Sequence, residues 1–131
     1  MKNVDVVAAI ITENGKVYAT QRGYGDFKDG WEFPGGKVEP GETKEAALKR
    51  EIEEELNTEI NVDSFLCTVE QDYPKFHIKM DCFMCSIVSG NLELKEHENA
   101  VWLTKNNIDN LAWLPADIKI LDYIKDRMQW K

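Results

Sequence analysis

Three glutamates recur on one side of a predicted helix over residues 43–56. Glu54 and Glu55 follow Glu51 by three and four positions, a spacing that brings side chains to the same face of an α-helix. Carboxylate oxygens are the ligands that Mg²⁺ prefers, and this ion shares its remaining positions with water and substrate phosphates. The spacing therefore predicts a divalent-metal site that would support attack of water on phosphorus.

A Glu-rich helix face is also typical of an ordinary solvated surface. Clustered like charges cost stability, and Arg50 alone cannot neutralise three neighbouring acids. An apolar stripe of Leu48, Ile52 and Leu56 lies beside the acidic arc and would dock the helix on a core. A helix fixed in this way would hold its acids on a rigid scaffold, as a metal site requires.

The segment before the helix decides between these readings. From Gly36, the chain has five residues, Glu42, seven residues, and then Arg50 at the start of REIEEEL. This pattern resembles the Nudix box, which ends in a glycine and an aliphatic residue where this chain has Asn57 and Thr58. Asn is the next-best residue for a left-handed helix end, so we expect the departure to disturb the turn and to leave the metal site in place.

The resemblance extends over nearly the whole chain, to the MutT-like branch that hydrolyses (d)NTPs, including 8-oxo-dGTP, and to CTP pyrophosphohydrolases. It implies Mg²⁺-dependent hydrolysis of a nucleoside triphosphate to the monophosphate and pyrophosphate, with Mn²⁺ as a substitute ion. The implied catalytic residues are Glu54, Glu51, Arg50 and Glu96. The implied metal ligands are Glu51, Glu54, Glu55, Glu96 and the Gly35 carbonyl, and the implied substrate-binding residues are Arg22, Phe33, Lys37, Tyr73 and Asp117. Gly36 and Glu42 would be structural, with Glu42 pinning the loop to the helix.

The acid outside the box lies in KEHENAVW, where Glu96 is preferred and Glu98 competes. Relatives use such a residue to bind metal or to deprotonate water, and a base must reach within about 3 Å of that water. A solvated loop acid is the alternative. His97 is expected to be a loop or packing residue.

The substrate contacts also have alternatives. Arg22 would face phosphate, although an Arg at a strand end is usually solvated. Phe33 and Tyr73 would stack on or wall the base, although aromatic residues are more often core. Asp117 stands at the base-reading position, where the founding family member has Asn, and offers acceptors when ionised and a donor when protonated. Its alternative is an acid that stabilises the N-terminus of the last helix.

The elements that would position these residues follow from pattern and turn signals. Residues 4–22 predict a hairpin turning at Glu13 to Gly15, with a central first strand because it is apolar on both faces. Residues 23–30 predict an irregular loop, and Pro34, Gly35 and Gly36 predict a tight turn without regular structure. Thr43 and Asn57 would begin and end the helix.

The second half predicts more strands and a final helix. Extended segments run near Glu59 to Gln71 and Phe76 to Val88, and a short strand is expected around Ala100 to Leu103. An amphipathic helix should begin near Ala116, with an apolar side of Ile118, Leu121, Tyr123, Ile124 and Met128. With the resemblance, this predicts one Nudix domain over residues 1–131, an α/β/α sandwich around a mixed sheet.

Composition narrows the function. A net charge of −8, from 24 acidic and 16 basic residues, argues against binding of nucleic acid and permits a small phosphate ligand that arrives with cations. Three cysteines make a disulfide framework improbable, and Cys82 and Cys85 would point to opposite faces of a strand. Without a readable secretory signal or membrane span, we expect a cytoplasmic monomer or homodimer.

Two other functions remain open from the sequence. One is a Nudix hydrolase of ADP-ribose, dinucleoside polyphosphates or a nucleotide sugar, since Tyr73 and Pro74 lie where such enzymes carry markers. The other is a non-catalytic module that binds nucleotide or RNA. Intact Glu51, Glu54 and Glu55 oppose the second, as does the absence of a basic stripe with aromatic residues.

Overall fold

The long first strand organises the fold. The structure is a computed structural model that describes residues 2–130. Its strands are β1 (Lys2–Glu13), β2 (Lys16–Arg22), β3 (Trp31–Glu32), β4 (Gly35–Lys37), β5 (Glu59–Asp72), β6 (Phe76–Ser89) and β7 (His97–Leu103), and its helices are α1 (Lys44–Leu56), α2 (Pro115–Ile118) and α3 (Leu121–Arg127), with a 3₁₀ turn at Ile108–Asn110 before α2.

The sheet is mixed. Its main path runs β3-β2-β1-β6-β5, with β4 added on β1 and β7 on β2. Strands β1 and β6 are parallel, whereas β1 pairs antiparallel with both β2 and β4. The predicted hairpin and the central place of the first strand are confirmed, and the turn uses Asn14 and Gly15 at positive φ, the conformation of a tight two-residue hairpin loop.

Apolar residues on both faces of β1 divide the core into two layers. Val7, Ala9 and Ile11 pack on the side of α1, whereas Ala8 and Ile10 pack on the side of α3. Alternation along a strand sends successive side chains to opposite faces. The predicted α/β/α sandwich is therefore confirmed.

Helix α1 forms where it was predicted. The Thr43 hydroxyl accepts a hydrogen bond from the Ala46 amide at 3.1 Å, and Asn57 ends the helix in the left-handed conformation with φ 48°. Lys44 forms a 2.9 Å ion pair with Asp81 on β6. The acidic arc faces away from the core, because the apolar side of the helix is buried. The buried residues are Ala47, Leu48, Ile52 and Leu56.

The prediction for residues 34–36 was wrong. Gly35 and Gly36 belong to β4 and pair with Ala8 and Val7 of β1. A Cβ on Gly35 would lie 1.9 Å from the Val7 carbonyl oxygen. The missing side chain therefore allows strand pairing at a separation that any other residue would prevent.

The final helix was also predicted incorrectly. The chain forms two short helices, α2 and α3, with Lys119 and Ile120 between them. Ile118 and Tyr123 are 55% and 49% exposed, because the buried residues Asp117, Ile120, Leu121 and Ile124 follow one helical face that excludes both. Leu121 and Ile124 are buried as expected. The last predicted strand is confirmed but begins earlier, at His97.

The cysteines match their prediction. Cys67, Cys82 and Cys85 are free and buried. Cys82 belongs to the core layer beside α3 and Cys85 to the layer beside α1, so their thiols point to opposite faces of β6. Within residues 2–130, every helix falls short of the length and apolar character that a membrane span needs.

Candidate active site

The Arg50 guanidinium holds the acidic face of α1 in place. Its Nε and Nη2 donate to the two carboxylate oxygens of Glu42 at 2.7 and 2.9 Å. Its Nη1 donates to Glu51 at 2.9 Å and to Glu54 at 3.2 Å, and Nη2 also donates to the Lys37 carbonyl at 3.0 Å. These five bonds match the five N–H donors that a guanidinium possesses.

Glu42 connects the loop before α1 to the helix. Besides its two bonds with Arg50, the carboxylate accepts the Glu39 amide at 2.9 Å. These hydrogen bonds, with Arg50 the stronger influence, lower the pKa of Glu42 to about 2. Glu42 thus has the geometry expected of a residue that pins the loop to the helix.

Glu51 lies against the backbone of β4. A Cβ on Gly36 would stand 2.4 Å from the carboxyl carbon of Glu51, so the glycine makes room for that carboxylate. Burial raises the pKa of Glu51, and the charges of Glu54 and Glu96 act in the same direction, against the hydrogen bond from Arg50. Glu54 and Glu96 are therefore close enough for their charges to act on Glu51.

Glu55 is the most buried of the three acids on this face of α1. Its Oε2 atom is buried and has no hydrogen-bond partner among residues 2–130. Burial raises its pKa to about 9, reinforced by the charges of Glu51, Glu32 and Glu96 and opposed by the Gly35 amide. The Glu55 Oε1 atom lies 4.0 Å from His97 Nε2.

The donor set fits a divalent cation. Several carboxylates of α1 and its surroundings share one region, and one of their oxygens is buried without a partner. A hard dication is bound by such oxygens and would relieve their repulsion. No three acidic, histidine or cysteine side chains in the described part of the chain are already arranged as a ligand set, and Arg50 Nη1 bridges Glu51 and Glu54. Glu54 is the exposed member of the set, so its carboxylate has room to adjust around a cation.

A cleft of about 540 Å³ opens above these acids. Glu96 lines it, and the Tyr24 hydroxyl donates to Glu96 Oε1 at 3.3 Å. Glu98 instead faces Lys28, at 3.8 Å. Of the two competing acids, the structure therefore brings Glu96 to the cleft. The lining residues are Arg22, Gly23, Tyr24, Gly25, Asp26, Glu32, Gly35, Lys37, Glu55, Glu96 and His97.

Sequence reasoning missed Glu32 and undervalued His97. Arg22 Nε and Nη2 donate to the two Glu32 oxygens at 3.2 and 2.8 Å, so the Arg22 guanidinium is partly engaged. His97, expected to be a loop or packing residue, has a side chain that is only 6% exposed, with Nε2 3.7 Å from Glu32. The sequence signal for Glu32 was the presence of an acidic residue two positions before the Pro-Gly-Gly segment.

The remaining substrate candidates are placed differently from one another. Lys37 lines the cleft. Tyr73 lines an adjoining apolar pocket of about 350 Å³ with Phe27, Pro74 and Phe76. Phe33 is 3% exposed and stacks on Trp113 with ring centres 4.6 Å apart.

The expectation that Phe33 contacts the base is therefore corrected: its ring belongs to the core. Asp117 is 2% exposed, and its Oδ1 accepts the Phe33 amide at 3.0 Å. Burial raises the pKa of Asp117 to about 8.

Comparison with known proteins identifies the family. Residues 1–124 match the NUDIX domain. The chain belongs to the NUDIX family. It is 36% identical over 123 residues to the CTP pyrophosphohydrolase of Escherichia coli strain K12, covering 93% of this chain and 91% of that protein. It is also 36% identical over 123 residues to the 8-oxo-dGTP diphosphatase of Haemophilus influenzae, covering 92% and 90%.

Solved structures agree with this assignment. The solution structure of the Escherichia coli ORF135 protein matches with a TM-score of 0.83 and 34% identity, covering 96% of this chain and 91% of that one. The resemblance predicted from the sequence is confirmed, and the protein is a Nudix hydrolase of the MutT-like kind.

The two departures from the Nudix box are compensated locally. Asn57 adopts the left-handed conformation that the box glycine would supply. Thr58 is 1% exposed, and its hydroxyl donates to the Leu56 carbonyl and accepts the Leu92 amide, both at 2.9 Å. A buried hydroxyl with both hydrogen bonds made is tolerated in place of an aliphatic residue.

The two glycines of β4 should fail in different ways when each is changed to Ala. Gly35→Ala should lower the free energy of unfolding by about 1–3 kcal/mol, because the new Cβ meets rigid backbone. Gly36→Ala should keep most of the stability but raise the Mg²⁺ concentration needed for half-maximal activity, because it displaces the Glu51 carboxylate. Chemical denaturation and metal-dependent assays measure the two effects, and equal stability losses in both variants would contradict this account.

Asp117→Asn should change how stability depends on pH. Folded Asp117 keeps its proton to about pH 8, whereas the unfolded carboxyl loses it near 3.8, so the free energy of unfolding falls as pH rises between these values. The slope from one such group is at most about 1.4 kcal/mol per pH unit. Asn does not titrate and still accepts the Phe33 amide. The variant should therefore gain stability relative to the parent from pH 5 to pH 8.

Denaturation at several pH values measures this difference. Asp122→Asn, which changes an exposed acid on α3, is the matched control and should give a constant difference. A constant difference for Asp117→Asn would show that the buried acid does not hold its proton.

Proposed function

We propose that this Nudix protein hydrolyses nucleoside triphosphates, in a Mg²⁺-dependent reaction, to the nucleoside monophosphate and pyrophosphate. The carrying observation is the acidic face of α1, which Arg50 connects to Glu42 and to the Lys37 carbonyl, beside a cleft that also contains Arg22 and Lys37. The similarity to a CTP pyrophosphohydrolase and an 8-oxo-dGTP diphosphatase supports the substrate class.

Glu51, Glu54 and Glu55 would hold the metal, with the Gly35 carbonyl as a further ligand. A divalent ion bound there lowers the pKa of a coordinated water and offsets charge on phosphate oxygens. All of these ligands are oxygen atoms, which suit Mg²⁺ and, as a substitute, Mn²⁺.

The catalytic roles follow from which atoms are free. Arg50 fixes Glu51 and Glu54, so their carboxylates are oriented before substrate arrives. The Tyr24 hydroxyl occupies Glu96 Oε1, which leaves Oε2 to accept the proton of the attacking water. Glu96 is accordingly the proposed base, and substitution occurs at phosphorus.

Substrate phosphates would lie between the acids and the cations of the cleft, Arg22 and Lys37. Both cations also line an adjoining groove of about 450 Å³, whose apolar walls include Val4, Phe76 and Ile78. We assign this groove to the nucleobase, with Tyr73 in the neighbouring pocket that shares Phe76 with it. A small polyanion that brings its own cations suits a chain with a net charge of −8.

Asp117, whose Oδ1 accepts the Phe33 amide, is proposed to set base preference. With its pKa raised to about 8, the carboxyl is protonated at neutral pH and offers one donor as well as acceptors. Oxidised or otherwise modified purines and cytosine present lactam or amino groups that such a carboxyl can read. Phe33 supports Asp117 through its backbone amide.

A substrate panel tests the proposal. The parent protein should release pyrophosphate, rather than orthophosphate, from at least one of the canonical, oxidised or methylated (d)NTPs when Mg²⁺ is present. ADP-ribose and diadenosine polyphosphates complete the panel. Cleavage of these two compounds alone, with every triphosphate left intact, would refute the proposed substrate class.

Glu54→Gln and Glu55→Gln should each lower kcat by roughly 100-fold or more, because each removes a charged metal ligand while keeping the side-chain volume. Glu53→Gln, on the exposed side of the same helix, is the matched control and should retain parent activity. Circular dichroism would verify that all three variants fold. Full activity in Glu54→Gln and Glu55→Gln would remove the acidic site from the mechanism.

A further inference from the structure

His97 stands between two carboxylates in a nearly closed environment. It begins β7 and pairs with Arg22 across the ladder to β2. Its Nε2 is 3.7 Å from Glu32 Oε2 and 4.0 Å from Glu55 Oε1, and 6% of the side chain is exposed. Its Nδ1 is buried without a hydrogen-bond partner among residues 2–130.

The two carboxylates differ in how much they need a donor. Glu32 already receives two hydrogen bonds from Arg22, at 2.8 and 3.2 Å. Glu55 has the Gly35 amide near its carboxylate, but its Oε2 has no partner in the described chain. The Glu55 Oε1 atom faces His97 Nε2 at 4.0 Å, so Glu55, which has no arginine partner among residues 2–130, gains more than Glu32 from the electrostatic attraction of an N–H at that position.

The surroundings also select the ring nitrogen that carries the proton. A neutral imidazole has one donor and one acceptor nitrogen. A proton on Nε2 faces the oxygens of Glu32 and Glu55, whereas a proton on Nδ1 would be buried without an acceptor and would leave the Nε2 lone pair against two carboxylates. The Nε2–H tautomer therefore satisfies this site.

We propose that His97 is a positioning residue that orients the Glu55 carboxylate for a divalent cation through its Nε2–H. Glu32 fixes the imidazole from the other side and is itself held by Arg22. The series Arg22, Glu32, His97 and Glu55 thus connects a cation of the substrate cleft to a metal ligand across β2, β3, β7 and α1. This inference rests on the proposed metal site, and His97 contacts neither metal nor substrate.

Two substitutions separate positioning from packing. Gln places an amide N–H near the position of Nε2, whereas Phe fills the space and has no donor. If His97 positions Glu55, His97→Phe should weaken Mn²⁺ binding by about 10–100-fold, as loss of partners to metal ligands does, and His97→Gln should stay within a few-fold of the parent. If His97 only packs, the order of the two variants reverses.

Electron paramagnetic resonance of free Mn²⁺ measures the affinity without any turnover. His77 is the other histidine of the chain and lies on β6 between Glu70 and Asp72. His77→Gln is therefore the control, with parent affinity expected. Equal Mn²⁺ affinity in the parent and His97→Phe would overturn the inference.

A second measurement needs no variant and so does not depend on whether His97→Phe folds. Ring ¹⁵N chemical shifts of the parent protein should place the His97 proton on Nε2, and a proton resident on Nδ1 would overturn the inference. A parent protein that binds no Mn²⁺ would instead refute the proposed function, so the two failures are distinguishable.

Discussion

The guanidinium of Arg50 is shared among Glu42, Glu51, Glu54 and the Lys37 carbonyl, and this arrangement constrains the rest of the site. Like charges on one helix face repel, and a helix alone has no means of holding them together. The planar fork of an arginine satisfies several carboxylates in fixed directions. It therefore keeps the acids close to one another before any cation binds.

Strand β4 forms the side of the site that faces α1, and its two glycines allow a close approach. Gly35 lets β4 approach β1, and Gly36 leaves space for the Glu51 carboxylate. Behind this strand, the apolar residues of β1 and α1 fix the helix to the sheet. Acid clustering, which disfavours folding, is thus confined to one face of a helix whose other face is firmly packed. One cost remains at Glu55, whose Oε2 is buried without a hydrogen-bond partner in residues 2–130.

The sequence predicted those parts of the fold that depend on local pattern. The periodicity of α1, its Thr43 and Asn57 ends and the β1–β2 turn depend on neighbouring residues, and each formed as expected. Pairing of Gly35 with β1 was missed because it depends on a strand some 27 positions earlier, and isolated glycines normally indicate a turn. The break before α3 was missed because Ile120, Leu121 and Ile124 stay on one buried face across it, so apolar periodicity does not register the break.

In the candidate site, too, the features that depend on neighbouring residues were predicted and those that depend on distant residues were missed. The spacing of the box located Arg50 and its acids, because helical geometry converts spacing into position. Phe33 was misassigned because burial against Trp113 is a tertiary property. Glu32 and His97 come from β3 and β7, which meet only through β2, and no spacing along the chain indicates that neighbourhood.

Calorimetric titration of Mg²⁺ into the parent protein and Arg50→Lys tests the central role of the guanidinium most directly. Lysine keeps the charge but has three donors on a single nitrogen and cannot span the same oxygens. Lys49→Ala, on the exposed side of the helix, controls for a substitution at the neighbouring basic residue outside the acidic face. The account predicts about 10–100-fold weaker binding in Arg50→Lys with the fold retained, and parent affinity in Lys49→Ala. Unchanged Mg²⁺ affinity in a folded Arg50→Lys protein would contradict it.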